Sequence, residues 1–92
     1  MLFSYPLVHK DKVTNRTRDD IVVNILQSVR TDPMFRTHIM YMARLSYVQL
    51  KYYQRYLLSK DLIGEVDGKW VITERGREYL KARAAADAIL QL

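Results

Sequence analysis

Cysteine is absent from the 92-residue chain, which excludes disulfides, thiolate nucleophiles and Cys-based zinc sites together. The imidazoles are His9 and His38, too far apart to make a case for a metal site. Glycine is scarce, with three residues, and none belongs to a phosphate-cradling loop. The serines, His38 and the scattered acids show no spacing that pairs a nucleophile with a base. Neither catalysis nor a cofactor is therefore expected. No stretch approaches the roughly 18 apolar residues that span a bilayer. The opening MLFSYPLVHKDK is interrupted by Pro6 and then by charge, so it reads neither as a span nor as an export signal. A soluble cytoplasmic protein without membrane contact is the expectation.

Apolar residues make up 49% of the chain and aromatics 11%, with seven tyrosines. That is enough burial to offset chain entropy, but the length allows only one core. The net charge of +5 is uneven: residues 1–60 hold ten Lys and Arg against four Asp and Glu, whereas residues 61–92 hold five against six. A basic excess favours a polyanionic partner, because phosphate neutralisation releases counterions.

Residues 1–16 show no sustained periodicity and read as an extended arm, made basic by Lys10, Lys12, Arg16 and the adjoining Arg18, that is either a phosphate contact or a solvated leader. A first helix is predicted from Arg18 to Val29. Thr17 is its cap, Asp19 and Asp20 complement the helix dipole, and Ile21, Val22, Ile25, Leu26 and Val29 form a core stripe. Asp32-Pro33 ends this segment. A short second helix fits Thr37 to Ala43, capped by Thr37, with Ile39, Met40 and Met42 as buried contacts.

After the turn Arg44-Leu45, Ser46-Tyr47-Val48-Gln49 reads as a capping box that starts a third helix running to about Lys60. Leu50, Tyr53 and Leu57 share one side of it; Val48, Lys51, Tyr52, Arg55 and Ser59 share the other. Asp67-Gly68 joins two β-prone runs, Leu62–Val66 and Lys69–Ile72, as a two-residue hairpin. Thr73 caps a last helix.

This order is that of an α+β winged helix-turn-helix: three helices, a two-stranded wing and a C-terminal helix. The expected division is a basic arm over 1–16, a winged-helix domain over 17–72 and a C-terminal helix over 73–92. On the outward face of the third helix, Lys51 and Arg55 supply charge, Gln49 suits adenine, and Tyr52 suits phosphate or a thymine methyl. Any solvated helix face displays Lys, Gln and Arg; Tyr47 and Tyr52 tip the reading towards a contact surface. Free amides near Thr37 and His38, with Arg36 just before them, form a phosphate seat. Lys69 offers a further contact from the wing, opposed by Glu65 and Asp67. Together with Ser46 at the helix start, these make the expected DNA-binding set. Tyr79, Leu80, Ala84, Ala88 and Leu92 are the expected dimerisation stripe. The alternative is a winged-helix module that uses Tyr47, Tyr52 and the acidic wing against another protein.

The stretch Thr37-His38-Ile39-Met40-Tyr41-Met42-Ala43-Arg44-Leu45-Ser46-Tyr47, continuing through Gln49-Leu50, Tyr53, Leu57-Leu58 and Leu62-Ile63, resembles a known group. It is similar to small archaeal winged-helix regulators and ten-kilodalton chromatin proteins, whose pattern reads T-R-I-M-Y-x-A-x-L-S-Y-x-Q-L. The resemblance covers residues 17–82, including V-I-T-E-R-G-R-E-Y-L from Val71 to Leu80. It implies double-stranded DNA binding, a homodimer joined through the C-terminal helices, and a regulatory or DNA-organising role without catalysis. The protein would then be nucleoid-associated, or in the host cytoplasm if the gene is viral. His38 stands where the group has Arg, and Asp61 where it has the Gly that ends the third helix.

Overall fold

The computed structural model describes residues 16–91, so the arm up to residue 15 and Leu92 lie outside it. Four helices and a small antiparallel sheet follow in the order α1 (Arg18–Ser28), β1 (Met34–Phe35), α2 (Arg36–Ala43), α3 (Tyr47–Ser59), β2 (Ile63–Val66), β3 (Lys69–Ile72) and α4 (Glu74–Leu90). The sheet order is β1-β3-β2.

Helix α1 starts as expected at Thr17, whose hydroxyl accepts from the Asp20 amide at 3.0 Å while the Asp20 carboxylate accepts from the Thr17 amide at 3.1 Å. Two of the four orphan amides of a helix start are satisfied by this reciprocal pair. The stripe of Ile21, Val22, Ile25, Leu26 and Val29 is buried in full. It packs with Ile39 and Ala43 of α2, Leu50, Tyr53 and Leu57 of α3, and Trp70 of β3. Trp70, the only tryptophan, is 1% exposed and lies in the core beneath the wing.

Helix α2 departs from expectation at its start. It begins at Arg36, with Phe35 rather than Thr37 in the capping position and no side-chain cap bond. The cause is a strand the sequence does not announce: Met34 pairs with Trp70 and Phe35 with Lys69. That pairing holds Phe35 extended, so the chain enters the helix directly from the sheet. Met42 is exposed rather than buried, and Ala43 takes the core position in its place.

Helices α2 and α3 end alike. Arg44 (φ 55°) and Asp61 (φ 58°) adopt the left-handed conformation. Leu45 N donates to the Met40 carbonyl and Leu62 N to the Leu57 carbonyl, at 3.0 and 2.9 Å. Both are Schellman closures, which normally favour glycine at the left-handed residue. The first creates the tight turn into α3. The second aims the chain into β2.

The hairpin forms as the Asp67-Gly68 pair predicts, with φ of 52° and 79° at the two positions and Val66 opposite Lys69. Both positive angles match the primed turn that suits strand twist. Thr73 caps α4 by accepting from the Gly76 amide at 2.9 Å, and it ties the hairpin base to the end of α3 by donating to the Asp61 carbonyl at 2.7 Å. Gly76 is buried because the chain leaves no room there: a Cβ would run into the Leu62 carbonyl oxygen and lie 2.7 Å from Ile72 Cγ1. Helix α4 docks on α1 through Arg83, which reaches Asp20 at 3.0 Å, and on the turn after α1 through Arg77, which donates to the Arg30 carbonyl at 3.2 Å.

Candidate nucleic-acid interface

The start of α3 is built by the Ser46 capping box. Ser46 Oγ accepts from the Gln49 amide at 3.1 Å, and Gln49 Oε1 accepts from the Ser46 amide at 2.9 Å. This locks the first turn, but it also occupies the Gln49 acceptor. A bidentate adenine contact needs both ends of the amide. While the cap is closed, Gln49 offers only its NH2 group as a donor.

Tyr47, the first residue of α3, points outward and is 51% exposed. Its ring gathers two cations: the Arg36 guanidinium lies 5.8 Å from the ring centre and the Lys51 ammonium 5.6 Å. Both distances are within cation–π range. One residue comes from the first turn of α2, the other from the first turn and a half of α3. Three predicted site residues thus meet on one outward patch. Thr37 and His38 are exposed beside Arg36 on the same first turn of α2.

Tyr52 and Arg55 lie further along the exposed face of α3, where they line an open hollow with Tyr56 and Ser59. Lys69 lies on β3 with its ammonium 5.1 Å from the ring of Phe35, the residue that precedes Arg36. The wing acids have structural duties. Glu65 accepts a hydrogen bond from Gln54 Nε2 of α3, and Asp67 occupies a left-handed turn position that Asp tolerates better than most residues. The opposition expected from Glu65 is thereby reduced, since its carboxylate is turned back onto the domain.

A model of a winged helix-turn-helix family matches residues 15–89. The chain belongs to that family. As a winged helix-turn-helix protein it uses α2 and α3 as the helix-turn-helix and the β2–β3 hairpin as the wing, which ties it to a family of DNA-binding domains. An uncharacterized protein of the archaeon Methanocaldococcus jannaschii is 32% identical over 76 residues, covering 83% of this chain but 33% of that protein. The chain therefore spans about a third of the length of that relative.

Several contacts went unread in the sequence. Arg16, assigned there to the arm, donates from both terminal nitrogens to the carbonyls of Ala43 and Arg44, at 2.7 and 3.0 Å. It is therefore a clamp on the helix-turn-helix turn. Arg18 lies over the Tyr56 ring at 5.0 Å, and the Tyr56 contact raises the guanidinium pKa above its ordinary value. Burial, followed by the neighbouring Tyr52, pushes the Tyr53 hydroxyl above its usual range. The helical spacing of Tyr52 and Tyr56 was the available signal for this cluster.

In the expected dimer stripe, Tyr79 and Leu80 are partly buried and pack against the chain's own core. Ala84 and Ala88 are exposed, as are Ile89 and Leu90 at 68% and 83%; Leu92 lies outside the described residues. Among the described residues, no group of three or more potential ligands could hold a metal ion, and no helix is long and apolar enough to cross a membrane.

Proposed function

We propose that the chain binds double-stranded DNA as a homodimer and regulates transcription, with α3 lying in the major groove. The observation that carries this reading is the Tyr47 cluster. Cations from both helices of the helix-turn-helix rest against one exposed ring, so part of the entropy of ordering two long side chains is already spent before a phosphate arrives. Lys51, Tyr52 and Arg55 are the principal groove contacts, and Gln49 serves as a donor. Arg36, Thr37 and His38 seat a phosphate at the start of α2, Ser46 holds the helix start, and Lys69 reaches the backbone from the wing.

Fluorescence anisotropy with duplex DNA across a salt series tests the proposal. Each phosphate neutralised contributes about 0.9 to the slope of log affinity against log salt, so Lys51→Ala with Arg55→Ala should flatten it by about 2. An absence of duplex binding at low salt, or a slope untouched by the double substitution, refutes it. Weak salt dependence in the native chain would point instead to a protein partner.

The dimer is assigned to the second half of α4, where Ala84 and Ala88 recur at i and i+4 and Ile89 and Leu90 add apolar surface with no partner within the described domain. Paired α3 helices would then enter major grooves about one helical turn, roughly 34–36 Å, apart. Light scattering on the Ile89→Glu, Leu90→Glu variant should return a monomer with an unchanged fold. A native chain that scatters as a monomer at all concentrations overturns the assignment.

A further inference from the structure

Helix α3 carries a second group of aromatic and basic side chains beyond the Tyr47 cluster. Tyr52 and Tyr56, one turn apart, have ring centres 6.4 Å apart and planes within 9° of parallel, which is an offset stack. Tyr53 supports Tyr52 edge to face at 5.1 Å. On Tyr56 rest two cations, the Arg18 guanidinium at 5.0 Å and the Lys60 ammonium at 5.9 Å. The open hollow beside the pair is lined by Tyr52, Arg55, Tyr56 and Ser59, with no acidic side chain among them. Arg18 is the first residue of α1, where the helix dipole disfavours a cation. Its contact with Tyr56 offsets that unfavourable position.

Tyr52, 45% exposed, presents a ring backed by Tyr56, which packs partly against the core; bordered by three cations, the pair matches the two demands of an unpaired nucleotide: a π surface for the base and positive charge for the phosphates. A paired base offers no free face to such rings, because its faces are covered by its neighbours in the duplex. We infer that the Tyr52–Tyr56 pair, framed by Arg18, Arg55 and Lys60, is a stacking site for the unpaired bases of single-stranded nucleic acid. The site shares Tyr52 and Arg55 with the duplex surface proposed above, whereas Tyr56, Arg18 and Lys60 belong to it alone. It does not require the duplex reading to hold.

The test compares the full chain binding a fluorescein-labelled oligothymidylate, the corresponding oligouridylate and a duplex of equal length. The native chain should bind the single strands, with the two arms reporting whether deoxyribose or ribose is preferred. Tyr56→Leu keeps the apolar bulk but removes the ring. It should weaken single-strand binding about tenfold, a loss within the range for one stacked base, and leave duplex binding within about twofold. Tyr56→Phe should restore it. Arg18→Gln, an exposed change that spares the core should Tyr56→Leu unfold the domain, should weaken single-strand binding about threefold.

Trp70 fluorescence on heating verifies that each variant is folded. Failure of the native chain to bind either single strand overturns the inference. So does single-strand affinity indifferent to Tyr56→Leu or, where that variant is unfolded, to Arg18→Gln. Loss of duplex binding alone, with the Tyr56-dependent single-strand affinity intact, would refute the duplex proposal and leave this one standing.

Discussion

Replacing the left-handed residues that end α2 and α3 with glycine should stabilise the domain. Arg44 and Asp61 sit at φ of 55° and 58°, and both are exposed. The left-handed conformation costs an ordinary L-residue roughly 1–2 kcal/mol, and less for Asp, whose short polar side chain tolerates it. Glycine removes that cost but gives back about 0.5–1 kcal/mol as the larger entropy of its unfolded chain. The hydrogen bonds at these sites run through backbone atoms: Arg44 and Asp61 offer carbonyls to Arg16 and Thr73, and glycine keeps both. The net gain is therefore about 1 kcal/mol for Arg44→Gly and about 0.5 kcal/mol for Asp61→Gly. For a domain of this size these translate into about 4–8 °C and about 2–4 °C in Tm. The two sites close different helices, so the double variant should show the sum. Trp70, the lone tryptophan and 1% exposed, reports unfolding directly by fluorescence. If neither variant raises Tm, or if both lower it, the strain argument fails at these caps.

Three further outcomes follow from individual contacts. Gly76→Ala forces a Cβ against the Leu62 carbonyl and the Ile72 side chain, so overpacking should cost about 1–3 kcal/mol in a denaturant titration; an unchanged midpoint would refute that. The Asp20 carboxyl is held below its ordinary 3.8 by the Thr17 amide and hydroxyl and then by Arg83. Because the folded value is depressed, its stabilising contribution is complete only well above the ordinary 3.8, shrinks as pH falls through that value and is gone below the folded one, and Asp20→Asn should flatten that acid limb in a pH series of melts. Glu65→Gln preserves an acceptor for Gln54 while removing a negative charge from the wing, so Tm should stay put while duplex affinity at low salt rises about twofold.

The fold was legible wherever a local rule and the core agreed. The cap at Thr17, the capping box at Ser46, the Asp67-Gly68 turn and the α1 stripe each tie a residue type to a position, and each appears in the structure as read; the return bond from Asp20 that completes a second capping box at Thr17 is an addition. Strand β1 was illegible because two residues carry no periodicity, and its partner β3 lies more than thirty positions along the chain. That hidden strand also displaced the expected Thr37 cap. Met42 misled for another reason: helix α2 is eight residues long and buries only Ile39 and Ala43, which leaves Met42 on its exposed side.

In the candidate site, the residue types were legible but their partnerships were not. Periodicity separated Lys51, Tyr52 and Arg55 from the buried face of α3, yet it cannot show that Arg36, fifteen positions before Lys51, shares the Tyr47 ring with it. Arg16 is the sharper case. Its charge placed it in a basic arm, but its guanidinium is engaged by two carbonyls at the end of α2, where the helix dipole leaves negative charge. Those carbonyls belong to the turn that sets the angle between α2 and α3. A cation just upstream of α1 therefore acts through geometry, by holding in place the turn between the two helices that supply the Tyr47 cluster.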